Sequence, residues 1–81
     1  MTKETQQPEL TFGQKAVGMT FNPGGHPEVN EIKIKCADII DRLNFLRETS
    51  SDSEVKRMYS IAITEIQTAQ MWAVKAATWT K

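Results

Sequence analysis

Apolar side chains recur at helical spacing in two long runs of this chain. The second run, from Ser51 to Trp79, contains neither Gly nor Pro, and Val55, Met58, Ala62, Ile66, Ala69, Ala73 and Ala76 return every three or four residues. That is the period of one helical face. Ala, Glu, Lys, Gln, Met and Ile give the run good propensity, and Ser51 with Glu54 three positions on reads as a capping box. The pattern predicts one helix of roughly seven or eight turns. Tyr59, Ile63, Val74 and Ala77 widen its stripe, while Met71, Trp72 and Trp79 sit partly on other faces. From Met58 to Val74 the one charged residue is Glu65. A two-helix hairpin needs only one buried face on each helix, so the surplus predicts that other copies of the chain cover the rest.

The first run places Val29, Ile32, Cys36, Ile39, Leu43 and Leu46 at alternating 3 and 4 spacing, a narrow seam of coiled-coil type. It predicts a helix from Pro27 to Glu48, with Ile40 widening the seam and Phe45 apart from it. The polar connection Thr49–Ser53 is too short for anything but an antiparallel αα-hairpin. Upstream, Thr11 is placed to cap a short helix through Phe12, Gln14, Lys15, Ala16 and Val17, ended by Gly18. Phe12 and Val17 then pin that helix to the body. Between the two, Thr20-Phe21-Asn22-Pro23-Gly24-Gly25-His26-Pro27 is a loop, since Pro and paired Gly break regular structure. His26 is expected to help cap the next helix, with Pro27 at its first position. The fold class is all-α: a long antiparallel helical hairpin with a short N-terminal helix, assembled into a homo-oligomer. Residues 1–9 read as a flexible polar tail and 10–81 as a single helical-hairpin domain.

Composition narrows the functions. Eighty-one residues make one domain, near the size at which a single core is marginal. Ten basic and ten acidic side chains cancel, which argues against a binder of long polyanions such as DNA or RNA. Cys36 is the lone cysteine and His26 the lone histidine. That excludes an internal disulfide and makes a multi-histidine metal site or an ordinary Cys–His–Asp nucleophile unconvincing. Cys36 reads as a buried thiol. No phosphate-cradling glycine loop and no carboxylate pair set in a cleft is evident, so binding or assembly, and not catalysis, is expected, without metal or cofactor. The N-terminus is polar and no run of about 20 apolar residues occurs, so a soluble, cytoplasmic protein is expected.

Three features carry candidate chemistry. Phe21, in the loop, is either an anchor against the helices or a platform on which a flat base stacks. Lys33 and Lys35 lie off the first seam, where Glu31–Lys35 and Asp38–Arg42 form ordinary i,i+4 pairs. Lys33 has Val29 and Ala37 at those offsets and is the freer cation, whereas Lys15 faces either solvent or ligand. Arg57, Ser60 and Thr64, continued by Gln67, Thr68 and Met71, make a polar ridge on an otherwise apolar helix. It is either a plain solvated face or part of an interior pocket where helices meet.

Two stretches carry a resemblance. Val29-Asn30-Glu31-Ile32-Lys33-Ile34-Lys35 is similar to the asparagine–x–isoleucine–lysine start of the first long helix in the phage anti-CBASS protein 2 family. Arg57-Met58-Tyr59-Ser60-Ile61, continuing into Thr64-Glu65-Ile66-Gln67-Thr68-Ala69-Gln70-Met71-Trp72-Ala73, resembles that family's arginine-x-x-serine-isoleucine and acidic-aliphatic-glutamine-threonine pattern. These are small hairpin proteins that sequester the cyclic oligonucleotide messengers of bacterial antiphage signalling. The resemblance implies a homohexamer with ligand pockets between protomers, acting in the cytoplasm of the infected bacterial host. Phe21, Asn22 and Lys33 are the implied cyclic dinucleotide-binding residues, with Phe12 as the second candidate aromatic. The family's loop often has Tyr followed by Arg where this chain has Phe21-Asn22. Arg57, Ser60 and Thr64 are the implied cyclic trinucleotide-binding residues. The expected function is a sponge that holds cyclic dinucleotides such as 3′,3′-cGAMP, and cyclic trinucleotides, without cleaving them. The rival is a structural helical oligomer or adaptor that docks on a host protein through Phe45, Trp72 or Trp79.

Overall fold

The computed structural model describes residues 9–80 and contains three helices, α1 (Phe12–Ala16), α2 (Pro27–Thr49) and α3 (Ser53–Ala77). All of the expected N-terminal tail except Glu9 lies outside the described residues. Helix α1 is held at its start by a reciprocal cap: the Gln14 amide N–H donates to Thr11 Oγ1 at 3.1 Å, and the Thr11 N–H donates to Gln14 Oε1 at 2.9 Å. It ends where Gly18 turns to φ +65, a left-handed conformation that glycine adopts without Cβ strain.

Two expected caps are corrected. Asp52, not Ser51, caps α3, its Oδ1 accepting from the amides of Glu54 at 2.8 Å and Val55 at 3.2 Å. A carboxylate there gains from the positive end of the helix as well as from the hydrogen bonds. His26 does occupy the cap position of α2, but its side chain makes no capping bond. At the far end, α3 stops at Ala77, short of Trp79, with the Thr78 hydroxyl donating to Val74 O at 2.8 Å.

Helices α2 and α3 form an antiparallel hairpin. Near the turn, Arg47 Nη1 donates to Ser60 Oγ at 3.0 Å, and Lys56 Nζ donates to Arg47 O at 3.1 Å. At the open end, Val29 of α2 and Val74 of α3 line one depression. The core joins Val17, Ala37, Ile40 and Ile63, with Leu43, Ile66, Cys36 and Met19 packed around it.

The buried seam is rotated from the expected one on both helices. On α2 the expected Val29 is buried, but it is followed by Lys33, Ala37 and Ile40 while Ile39 is 49% exposed, because α1 also packs on α2 and draws its inner face round. On α3, Ile63 and Gln70 are buried; Met58, Ala69 and Ala76 are exposed. The residues that widen the stripe, Tyr59, Ile63, Val74 and Ala77, are all buried or half-buried, with Ile63 and the stripe residue Ile66 at the core.

Gly13 sets how closely α1 approaches. Its N–H donates to Asp41 Oδ1 at 2.6 Å, and an added Cβ would stand 2.2 Å from Ala37 O. Gly13→Ala should therefore force α1 off α2. Overpacking of this kind destabilises by about 1–3 kcal/mol, which in a domain of this size lowers Tm by roughly 4 °C or more. A thermal melt checks it; an unchanged Tm means α1 does not dock so tightly.

The Cα trace is flat, 12 Å deep in its thinnest direction against 45 Å in the other two. So flat a shape buries few side chains on both sides, and Ile34, Ile39, Phe45, Met58, Ile61, Met71, Trp72 and Trp79 all stand exposed. Trp72 and Trp79 share a hollow with Ala76, with Lys75 Nζ 5.4 Å from the Trp72 ring centroid. Among the described residues no helix is long and apolar enough to cross a membrane.

Candidate nucleotide site

The loop between α1 and α2 is built from two turns. The Phe21 N–H donates to Gly18 O at 2.9 Å, and the Gly25 N–H donates to Asn22 O at 2.9 Å. Asn22 then clasps the start of α2: its Oδ1 accepts from the His26 N–H at 3.2 Å and its Nδ2 donates to His26 O at 3.0 Å. Asn22 thus fixes the backbone of the cap residue without capping the first-turn amides itself, and its amide is occupied at both ends.

Lys33 is not the free cation that its spacing suggested. It is 3% exposed, and its Nζ donates to Gly18 O at 2.8 Å and, more closely, to Phe21 O. An ammonium has three donors and no acceptor, so two of the three are spent holding the first loop turn. The same nitrogen lies 5.5 Å from the centroid of the Phe21 ring, within cation–π range. The ring itself is 71% exposed. Of the two readings of Phe21, the anchor through its side chain does not fit: the backbone of residue 21 is fixed and the aromatic face is open.

Phe21 stands between two hollows. One, of about 270 Å³, runs along the loop to Val29, Val74 and Thr78; the other, of about 480 Å³, includes Lys15, Lys33, Gln70 and Met71. Phe21, Asn22 and Lys33 are therefore brought together, with Lys15 at the rim of the larger hollow. Phe12 is elsewhere. It lies under the Arg47 guanidinium, 5.6 Å from centroid to Cζ, and Arg47 is roughly 21 Å along α2 from Lys33 at 1.5 Å per residue.

Arg57, Ser60 and Thr64 share a shallow hollow of about 350 Å³ with Ile61 and Glu65. Arg57 is paired with Glu54, Nε to Oε1 at 3.1 Å, and this guanidinium holds the Glu54 carboxyl below the usual carboxylate range. Both side chains are exposed, so solvent and salt screen the pair. Ser60 takes its hydrogen bond from Arg47, and the Thr64 carbonyl accepts from the Thr68 hydroxyl at 3.1 Å. Of the expected helix pairs, Glu31–Lys35 closes to 4.0 Å, while Arg42 lies over the Phe45 ring at 5.8 Å. Cys36 is half-buried, and burial raises its thiol pKa. Among the described residues no cluster of His, Cys, Asp or Glu is arranged to hold a metal.

Sequence reasoning missed Gln70 and Arg47. Gln70 lies about as far after the turn as Lys33 lies before it, and that symmetry places the two across the hairpin. Arg47 meets Ser60 through the reach of its side chain and not by such symmetry, since Ser60 lies further from the turn than Arg47 does; its Nη2 also donates to Asn44 Oδ1 at 2.6 Å.

Residues 14–78 match the family model described as Acb2/Tad1, hairpin domain. No curated protein and no solved structure matches the chain.

Proposed function

The chain belongs to the Acb2/Tad1 hairpin family, that of anti-CBASS protein 2, and on that premise we propose that it is a stoichiometric sponge for cyclic oligonucleotides. It binds cyclic dinucleotides such as 3′,3′-cGAMP, and cyclic trinucleotides, and releases them unchanged. In the cytoplasm of an infected bacterium this starves CBASS effectors of their activating signal. The observation that carries the reading is the exposed Phe21 ring, fixed at its backbone by buried Lys33 beside an open hollow. A base stacked on an aromatic ring gains about 1–3 kcal/mol, and a cyclic dinucleotide offers two bases and two phosphates.

One protomer supplies a single ring and few cations, so the pocket is completed by sister protomers in a homo-oligomer, with a hexamer as the expected size. The many exposed apolar side chains on a flat hairpin support this. No membrane, polymeric nucleic acid, metal or cofactor enters the proposal, and no catalysis. Light scattering tests the assembly; a monomer leaves no pocket between copies.

Isothermal titration with 3′,3′-cGAMP, followed by chromatography of the recovered ligand, tests the function. Saturable binding and intact ligand are expected. A wild-type protein that binds no cyclic di- or trinucleotide in a broad panel sinks the proposal, and a linear product makes the protein an enzyme.

The Arg57–Ser60–Thr64 hollow is the proposed trinucleotide site. To engage a phosphate, Arg57 exchanges its exposed Glu54 partner for the ligand. Arg57→Ala removes a charge-assisted bond of about 1.5–3 kcal/mol, so cyclic trinucleotide affinity should fall roughly tenfold or more while dinucleotide affinity holds. Equal losses for both ligands would argue against separate pockets. The exposed Trp72 and Trp79 favour, as a second reading, an adaptor docking on a host protein, which predicts indifference to every cyclic nucleotide.

A further inference from the structure

Gln70 is the buried polar side chain whose role the fold does not explain. It is 6% exposed, on the inner face of α3, where an apolar residue would pack against α2 with no need of a partner. Among the described residues its amide makes no hydrogen bond, yet no buried side-chain nitrogen or oxygen goes unpaired. Its amide atoms therefore keep some contact with solvent, and Gln70 lines the hollow together with Phe21, Lys33 and Lys15. A buried polar group without a partner is costly; one bordering a hollow is available to a ligand.

We infer that Gln70 reads the edge of the base stacked on Phe21 and favours adenine there over guanine. This deepens the sponge reading and rests on it. A primary amide offers one acceptor and two donors. Adenine presents the matching pair, the N7 acceptor beside the N6 amino donor, and takes Gln bidentately. On that same N7 edge guanine presents two acceptors, N7 and O6, so with the base held in this orientation one of its atoms meets the amide oxygen without a proton between them. Lys15 and the remaining Lys33 donor supply the positive surroundings that the phosphates of either ligand need, and they do not distinguish the bases.

The test is titration of the full chain with 3′,3′-cyclic di-AMP and 3′,3′-cyclic di-GMP, using wild type and Gln70→Met, a neutral side chain of similar length. Wild type should hold di-AMP about tenfold more tightly. Gln70→Met should bring the two affinities close to equality, mainly by weakening di-AMP. Equal affinities or a guanine preference in wild type overturns the inference even where the variant fails to fold. So does a folded Gln70→Met that keeps the wild-type ratio. Wild type that binds neither these nor any other cyclic nucleotide defeats the sponge reading itself, an outcome distinct from binding without discrimination.

Discussion

Phe21→Ala should weaken binding of 3′,3′-cGAMP by roughly 5- to 150-fold while leaving the melting temperature within about 2 °C of wild type. The range follows from the 1–3 kcal/mol that a stacked base gains on an aromatic ring and a factor of ten per 1.4 kcal/mol. Where two copies each present a Phe21 to one ligand, the loss lies at the upper end. Stability is spared because the ring is 71% exposed, and the bonds that hold residue 21 run through its backbone N–H and carbonyl. Titration and a thermal melt on the same sample check both halves. A falling Tm with unchanged affinity reverses the assignment and makes the ring an anchor.

Lys33→Met should lose both properties together. Its ammonium holds the carbonyls of Gly18 and Phe21, and losing a hydrogen bond made by a charged group costs about 1.5–3 kcal/mol. A Tm drop of several degrees is expected on that scale, with dinucleotide binding reduced at least tenfold because the turn that aims Phe21 slackens. The comparison with Phe21→Ala isolates the part played by order in the loop. A Lys33→Met protein that melts like wild type but binds more weakly, with a shallower salt dependence than wild type, assigns Lys33 to the phosphate instead.

The hairpin, the short α1 and the loop were legible because each is written in local chemistry. Thr11 and Gly18 bracket α1, Pro27 opens α2, and a three-residue polar turn leaves α3 no direction but back. The faces were less legible. A 3-4 pattern through Ile32, Cys36 and Ile39 assumes one packing partner, but α2 has two, and the weight of α1 at Gly13 and Val17 turns Ala37 and Ile40 inward. The surroundings of Lys33 were not legible, since nothing in the local sequence says that two loop carbonyls need a donor. Gln70 was invisible for a related reason. Its meaning depends on what stands opposite, and opposites in a hairpin are counted from the turn, not along a stripe. Asp52 displaced Ser51 because a charge at a helix start outweighs a hydroxyl one residue earlier.

Lys33 also bears on kinetics. A scavenger of signalling molecules competes against effectors for each one released, and that race is decided by how quickly it seizes the messenger as well as how long it keeps it. On the proposed sponge function, a first loop turn already fastened to α2 through Lys33 lowers the ordering penalty on affinity and spares capture a wait on rearrangement of that turn.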